Sequence, residues 1–340
     1  MLNDNNEAIK ELRTRSSKIL GGGVSEQMFL ETFIFPANIA YSDGWWISKM
    51  PHSEQVFFSV VKNELTPLDI KINQKLTDHG YDVFQIISFD DHYEIGREHN
   101  FKKIEDFLTD NNISVKALKK RKQYEDAMLD RCIEYYTKIG RLTEKARSIR
   151  LEDSFLNSYF YTTNIDLFIE KPNSDTLVCI ENKFKNEFKH NGMLVFGEDR
   201  LQYETLFPIM LDCGIDVYNC ILYNHLKKKR NTDQTDIFNY LDNNNGQVYW
   251  KKKEFSPGEK HETYTFSAKH TAWNSDEGRT VYCIPLKQYK TIEYDLFNDD
   301  EQGNYWGKCS IKGCNGYLVV KKTRDGAKEF FGCTNYKKHK

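Results

Sequence analysis

Tyr161-Thr-Thr-Asn164-Ile-Asp166-Leu-Phe-Ile-Glu170 is followed by Lys171-Pro-Asn-Ser-Asp175, and then by Thr176-Leu-Val-Cys-Ile180-Glu181-Asn182-Lys183. The outer pieces are short, apolar and partly β-branched, and the middle piece is a cluster of turn residues. Two such runs with a five-residue polar connection predict a β-hairpin. With Lys171 opposite Thr176, counting outward puts Asp166 opposite Glu181. Directly opposed side chains share a face, about 4.5–5.5 Å apart at Cβ. Lys183 returns to that face by the two-residue period. This register gathers two carboxylates and one ammonium at the end of two otherwise apolar strands.

Two carboxylates this close repel unless a cation lies between them. Mg²⁺ suits such a site, because it takes one or two carboxylates, keeps water and accepts phosphate oxygens. A lysine alongside can orient or deprotonate an attacking water, or neutralise charge growing on a phosphate. The chemistry that needs these parts is phosphodiester hydrolysis. Glu-x-Lys alone is also the ordinary pattern of a solvated pair on an edge strand. Against that stand the Asp in register, the apolar run before Glu181 and the helix candidate after it.

At these residues the chain resembles the PD-(D/E)xK nuclease superfamily, which includes many restriction endonucleases. The carriers are Asn164-Ile-Asp166 and Ile180-Glu181-Asn182-Lys183, the latter similar to a form found in bacterial and phage members. The resemblance extends through Tyr223, and Asn164 departs from the family's Pro or Gly. It implies metal-binding roles for Asp166 and Glu181 and a catalytic role for Lys183. It also implies a core ordered strand, strand, helix, strand. Many members add an acidic residue from an early helix, for which Glu26 and Glu31 are the candidates. Several place a Gln or Tyr from the later helix at the scissile phosphate. Gln202 and Tyr203 fill that place here, with Arg200 able to hold a phosphate. Helix surface is the alternative for each.

With 340 residues, the chain is long enough for a sizeable core and two units. Charged residues make up 29% and the net charge is −2, so any nucleic-acid surface must come from local patches. No apolar run approaches the ~20 residues that cross a bilayer, and the polar N-terminus has no signal-peptide core. The expected compartment is the cytoplasm, where thiols stay reduced. Of eight cysteines, Cys132, Cys179, Cys213, Cys220 and Cys283 read as buried thiols.

Upstream, residues 3–20 predict an amphipathic helix broken by Gly21-Gly-Gly23, with Ser25 capping a second helix that ends at Pro36. Val56–Val61 and Asp82–Phe89 predict strands around a helix from Pro67 to Gly80. Asp90-Asp91-His92 reads as a turn. Val115 to Arg150 is helical, interrupted at Gly140. Downstream, Gly192 and Gly197 bracket a predicted loop, and Glu198-Asp-Arg200 opens a helix with acidic residues at its positive end. Asp216–Tyr223 is the next strand. Basic runs occur at Lys119–Lys122, Lys227–Arg230 and Lys251–Lys253. The last two are interleaved with Trp250, Tyr264, Phe266, Trp273, Tyr282 and Tyr289. That mixture suits nucleic-acid contact and equally an ordinary β-rich surface. Glu293 to Gly303 reads as an acidic linker.

The tail places Cys309 and Cys314 five apart, then a hairpin-like segment, then Cys333 with His339 six later. Closing both pairs on one tetrahedral ion gives Cys₃His zinc ligation, which in so small a unit would supply most of the folding free energy. The tail resembles the C-terminal zinc ribbon of type I DNA topoisomerases, through Gly316-Tyr-Leu-Val-Val320, Phe330-Phe-Gly-Cys333 and Thr334-Asn-Tyr336. His339 stands where that family usually has Cys. The resemblance implies single-stranded DNA binding. Nine Lys/Arg against two acidic residues from Lys308 to Lys340 give the matching charge. A purely structural or protein-binding ribbon is the alternative.

The expected fold is therefore α/β (α+β): a restriction-endonuclease-like mixed sheet flanked by helices, plus a zinc ribbon. The nuclease unit spans 1–300, with a helical and mixed part at 1–150, a catalytic core at about 150–225 and a β-rich extension at 226–300. The ribbon spans 305–340. The expected activity is Mg²⁺- or Mn²⁺-dependent DNA endonuclease of restriction or phage-defence type. A repair exonuclease or a non-catalytic DNA-binding protein is the alternative. DNA is the expected partner, duplex or single-stranded. A homodimer is left open, and no membrane is expected.

Overall fold

A computed structural model describes residues 5–13, 17–50, 53–89, 92–98, 100–115, 127–223, 237–243, 248–267, 278–292, 295–297, 304–309, 311 and 313–339. The architecture is mixed α/β, with sheets flanked by helices. Strands Leu167–Glu170 and Leu177–Lys185 pair antiparallel, Leu167 opposite Ile180 and Glu170 opposite Leu177. Lys171 N–H donates to Thr176 O at 2.9 Å across the turn. The hairpin register is the one the turn residues predict.

The first strand differs from expectation. Tyr161–Ile165 pairs with Trp45–Lys49 in another sheet, so the run to Glu170 is two strands divided at Asp166. The Asp166 carboxylate accepts the Asn182 backbone N–H (2.6 Å) and the Asn164 side-chain amide (2.7 Å). These bonds replace the ladder at the break. The Trp45 ring meets Phe168 edge-on at 5.6 Å and closes the seam between the sheets.

The central sheet runs, in spatial order, Tyr41–Ser42, Leu167–Glu170, Leu177–Lys185, Asp216–Tyr223, Trp250–Glu254 and Lys290–Ile292. Leu177–Lys185 and Asp216–Tyr223 are parallel. A helix joins them, π-wound over Gln202–Leu206 and α-helical over Phe207–Asp212. Between the hairpin and that helix lies an insertion. Phe188–His190 and Met193–Asp199 form a hairpin in a four-stranded sheet with Arg279–Pro285 and Thr263–Phe266. The stretch bracketed by Gly192 and Gly197 is thus strand, not loop, and Glu198 and Asp199 end a strand instead of opening a helix. Burial of Leu194, Val195 and Phe196 outweighs the glycine punctuation.

One face of the central sheet, carrying Leu167, Ile169, Val178 and Ile180, packs on the N-terminal helices. The other face, carrying Phe168, Leu177, Cys179 and Val217, packs on the helix at Gln202–Asp212 and on Phe196 and Ile284. By the two-residue period, Glu181, Lys183 and Lys185 follow Cys179 on this second face.

The N-terminal helices are Asn5–Leu12 and Ser17–Phe29. The second runs through Gly21–Gly23, which do not break it, and Ser25 lies inside it instead of capping it. A Cβ on Gly23 would lie 2.3 Å from the Tyr136 hydroxyl and 2.7 Å from Lys145 Nζ. The glycine thus lets this helix approach those of Ala127–Lys138 and Leu142–Leu151. That packing outweighs the cost of about 1 kcal/mol for a helical glycine.

A second six-stranded sheet holds Val56–Val61 and Asp82–Ser88 in parallel, joined by the predicted helix, here Pro67–Asp78. The basic runs at Lys119–Lys122 and Lys227–Arg230 lie outside the described residues, as do Asp90, Asp91 and Trp273. Cys132, Cys179, Cys213, Cys220 and Cys283 are buried free thiols.

The run Lys251–Lys253 is interior, so it is neither of the two surfaces expected of it. Lys251 Nζ donates to Thr291 Oγ1 (2.7 Å) and Asn304 Oδ1 (3.0 Å), Lys252 to Leu296 O (2.6 Å) and Lys253 to Glu259 Oε2 (2.9 Å). Their heads lie 4.3, 5.0 and 4.8 Å from the ring centres of Trp306, Tyr218 and Phe255. A buried ammonium persists only when paired in this way.

The tail hairpin, Leu318–Lys322 with Glu329–Cys333, docks on the body. Trp306 is fully buried among Phe196, Tyr223 and Phe331. The Glu329 N–H donates to Gly192 O (2.7 Å), and Glu329 Oε2 accepts the Leu194 N–H (3.0 Å). Gly192 has φ +79°, and a Cβ there would lie 2.3 Å from Ala327 O, so the contact requires glycine.

Candidate catalytic and metal sites

Asp166, Glu181 and Lys183 converge at the end of the hairpin. Lys183 Nζ forms an ion pair with Glu181 Oε1, and the Gln202 side-chain amide donates to the same oxygen. Asp166 sits at the sheet crossing beside the hairpin, its charge acting on both Glu181 and Lys183. Glu181 is fully buried. Gln202 is buried too, at the first turn of the helix packed on that face.

The electrostatics follow from burial. Desolvation pushes the Glu181 carboxyl well above the usual carboxylate range, and the charges of Asp166 and Glu198 push it the same way against the pull of Lys183. Burial likewise pushes Asp166 up to about 7, with Glu26 adding repulsion and Lys183 opposing. For Lys183, burial favours the neutral form, but Glu181, Asp166 and Glu198 outweigh it and hold the ammonium above its ordinary value. The unfolded Asp166 carboxyl titrates near 3.8. The folded form therefore holds its proton more tightly, and stability present at low pH is lost as pH rises through about 7. In chelator, the melting temperature of the native chain relative to Asp166→Asn should fall between about pH 4 and pH 7. Added Mg²⁺ or Mn²⁺ should reverse part of that fall. Thermal melts across this range test it, and parallel curves for the two proteins would refute it.

The donor set fits a hard divalent ion. It consists of oxygen atoms, two of its members are carboxylates, and Glu181 Oε2 is buried without a hydrogen-bond partner. Gln202 Oε1 and Glu198 Oε1 are buried and unpartnered in the same way.

The other candidates divide. Glu26 lies close enough to raise Asp166 but on the helix packed against the opposite face. Glu31 accepts from Gln27 at 3.0 Å and belongs to a different network. Arg200 is clamped to Glu204 one turn along at 3.0 Å, an exposed helix pair. The Tyr203 hydroxyl donates to Glu259 O (2.9 Å), and its ring stacks on Tyr282 at 3.9 Å, so it does not reach Glu181. Sequence reasoning missed Lys185, Asn182, Asn219 and the placement of Glu198. Lys185 was findable, one more step of the period beyond Lys183. Asn182 faces the other way, its Oδ1 accepting the Ser25 hydroxyl at 3.1 Å.

In the tail, Cys309, Cys314, Cys333 and His339 bring one donor atom each to within 4.8 Å of one another, a group able to coordinate a metal ion. His339 Nε2 lies 3.5 Å from Cys309 Sγ and 3.1 Å from Cys314 Sγ, and the Cys314 and Cys333 sulfurs are 3.5 Å apart. Around an ion with bonds of about 2.3 Å, tetrahedral sulfurs lie about 3.8 Å apart. The Gly316 and Asn335 N–H groups point at Cys314 and Cys333 Sγ (3.3 and 3.2 Å). The first helps bring the Cys314 thiol down to about 7. A Cβ on Gly316 would lie 2.5 Å from Cys333 Sγ, so the knuckle requires glycine. Among the described residues this is the one group of three or more His, Cys, Asp or Glu donors drawn so close. The carboxylate oxygens of Asp166, Glu181 and Glu198 are not drawn to within that distance of one another.

No protein-family model matches the chain, no curated protein matches it, and no solved structure matches it. No helix among the described residues is long and apolar enough to cross a membrane.

Proposed function

We propose that the chain is a Mg²⁺- or Mn²⁺-dependent nuclease that hydrolyses DNA phosphodiester bonds, built on a PD-(D/E)xK-like core. The observation that carries the reading is the meeting of Asp166, Glu181, Lys183 and Gln202 at one end of one hairpin, where burial and mutual charge act on all three ionisable groups. Asp166 and Glu181 would hold the divalent ion, which when bound supplies charge to neutralise the scissile phosphate. Lys183, kept protonated by its carboxylate neighbours, orients the attacking water and offsets charge growing on the phosphate. Gln202 fixes the rotamer of Glu181, and the aromatic wall at Phe168 and Trp45 fixes the end of the hairpin.

The tail would hold zinc, since three thiolates and an imidazole at these separations suit that ion. Its exposed Tyr336, Phe330 and Ile311, set among lysines, give bases a stacking surface and the backbone a positive one. A restriction or phage-defence setting is drawn from family analogy alone. The test is incubation of the purified chain with plasmid, linear duplex, single-stranded DNA and RNA, with Mg²⁺, Mn²⁺ or chelator. Cutting of circular plasmid that chelator stops is the expected result. Cutting of linear ends only would make it an exonuclease. No cutting of any substrate would favour the non-catalytic DNA-binding reading over the nuclease one.

A further inference from the structure

A row of residues crosses three adjacent strands of the central sheet. Asp166 lies at the level of Glu181 on one side, and Asn219 is its register partner on the parallel strand on the other. Over Asn219 sits Glu198, delivered by the inserted four-stranded sheet. Glu198 is fully buried. Its Oε2 accepts from Lys185 Nζ (2.9 Å) and from Asn219 Nδ2 (2.7 Å), which fixes the carboxylate beside Glu181. Its charge acts on both Glu181 and Lys183.

Three oxygens in this corner have no hydrogen-bond partner although they are buried: Glu181 Oε2, Glu198 Oε1 and Gln202 Oε1. Gln202 must present its N–H to the carboxylate of Glu181, which leaves its oxygen free. By contrast both Asp166 oxygens are already bonded, one to Asn164 and one to Asn182. A buried acceptor without a donor costs free energy. Lys183 and Lys185 pair with Glu181 Oε1 and Glu198 Oε2, so each of these two buried carboxylates keeps one oxygen that no protein donor reaches and that a further cation could take. All three open atoms are hard oxygens, the donors that Mg²⁺ and Mn²⁺ take.

We propose that Glu198 Oε1, Glu181 Oε2 and Gln202 Oε1 hold a divalent cation of their own, on the opposite side of Glu181 from Asp166. Glu181 then serves two cation positions, and the inserted sheet contributes a ligand that neither strand of the hairpin carries. The inference rests on the nuclease reading for its purpose but not for its test, which counts ions and not cuts.

The experiment is titration of the full-length, zinc-loaded chain with Mn²⁺, followed by calorimetry and electron paramagnetic resonance. The native protein should bind two Mn²⁺ per chain. Glu198→Gln should lose one of them, or weaken it by about tenfold or more. Asp166→Asn should keep the ion that Glu198→Gln loses. A Glu198→Gln isotherm that superimposes on the native one would overturn the proposal, as would loss of all Mn²⁺ in Asp166→Asn. If Glu198→Gln does not fold, a native count below two overturns it by itself. A chain that binds two Mn²⁺ but cuts no nucleic acid would sink the nuclease reading and leave this one standing. A chain that cuts, with Mn²⁺ binding indifferent to Glu198→Gln, would do the reverse.

Discussion

Replacing Lys183 with Met should reduce divalent-ion-dependent DNA cleavage on the order of 10²–10³-fold, the range for removing one charge-stabilising donor at a reacting oxyanion. Asp166→Ala should cost at least as much, since losing a ligand forfeits several kcal/mol of charge stabilisation and each 1.36 kcal/mol is tenfold in rate. DNA affinity should change little in either, because Lys183 is one mostly buried cation that already pairs with Glu181. Met is chosen to keep the length of the apolar stem while removing the charge. Without the ammonium, Glu181 is left among Asp166 and Glu198 and takes up a proton, so the fold should survive. Cleavage at native rate by either variant, with circular dichroism unchanged, would remove the catalytic assignment. Loss of both cleavage and binding would mean that the lysine serves the fold.

Cys309→Ser combined with Cys333→Ser should take the zinc content from one ion per chain to none. Each pair of ligands would then be broken, and free energies of about 10–16 kcal/mol bind structural zinc in units this small. The tail should unfold locally, because Leu318, Val320 and Phe331, the apolar side chains by which its hairpin meets the body, are only partly buried. Trp306 would become wet, and its emission should shift to the red. The central sheet should persist, since the face carrying Leu167, Val178 and Ile180 is packed without any side chain from the tail. Elemental analysis after gel filtration decides the first outcome and fluorescence the second. Undiminished zinc would refute the ligand set. Reduced affinity for single-stranded DNA with intact cleavage of short duplexes would support the binding role of the ribbon.

Much of the site was legible locally. The turn cluster Lys171–Asp175 sets the hairpin register as far as Leu167 opposite Ile180, and Asp166 and Glu181 are the next residues beyond that pair. Gln202 could be nominated only by resemblance, because one polar residue on a helix looks the same facing solvent or a carboxylate. Glu198 was misplaced for a related reason. Gly192, Gly197 and an acidic pair read as loop and helix start, whereas the chain uses Leu194–Phe196 to pair with Arg279–Pro285, far away in sequence. Likewise the Lys251–Lys253 run has the composition of a surface, and only its partners make it interior: Thr291 and Leu296, 40 and 44 residues on, and the nearer Glu259.

By itself, then, the sequence determined what neighbours along the chain can enforce: the hairpin, the faces of its side chains, the helix after it and the spacing of the four tail ligands. Turn geometry and the two-residue period act over a few residues and need nothing else. Only the tertiary structure decided which sheet each half of the strand at Asp166 joins, which carboxylates share the pocket, and that the tail packs on the body. Those outcomes turn on where buried polar groups find partners, and the deciding pairs, Lys185 with Glu198, Glu181 with Gln202 and Leu194 with Glu329, lie 13, 21 and 135 residues apart along the chain, where no local pattern records them.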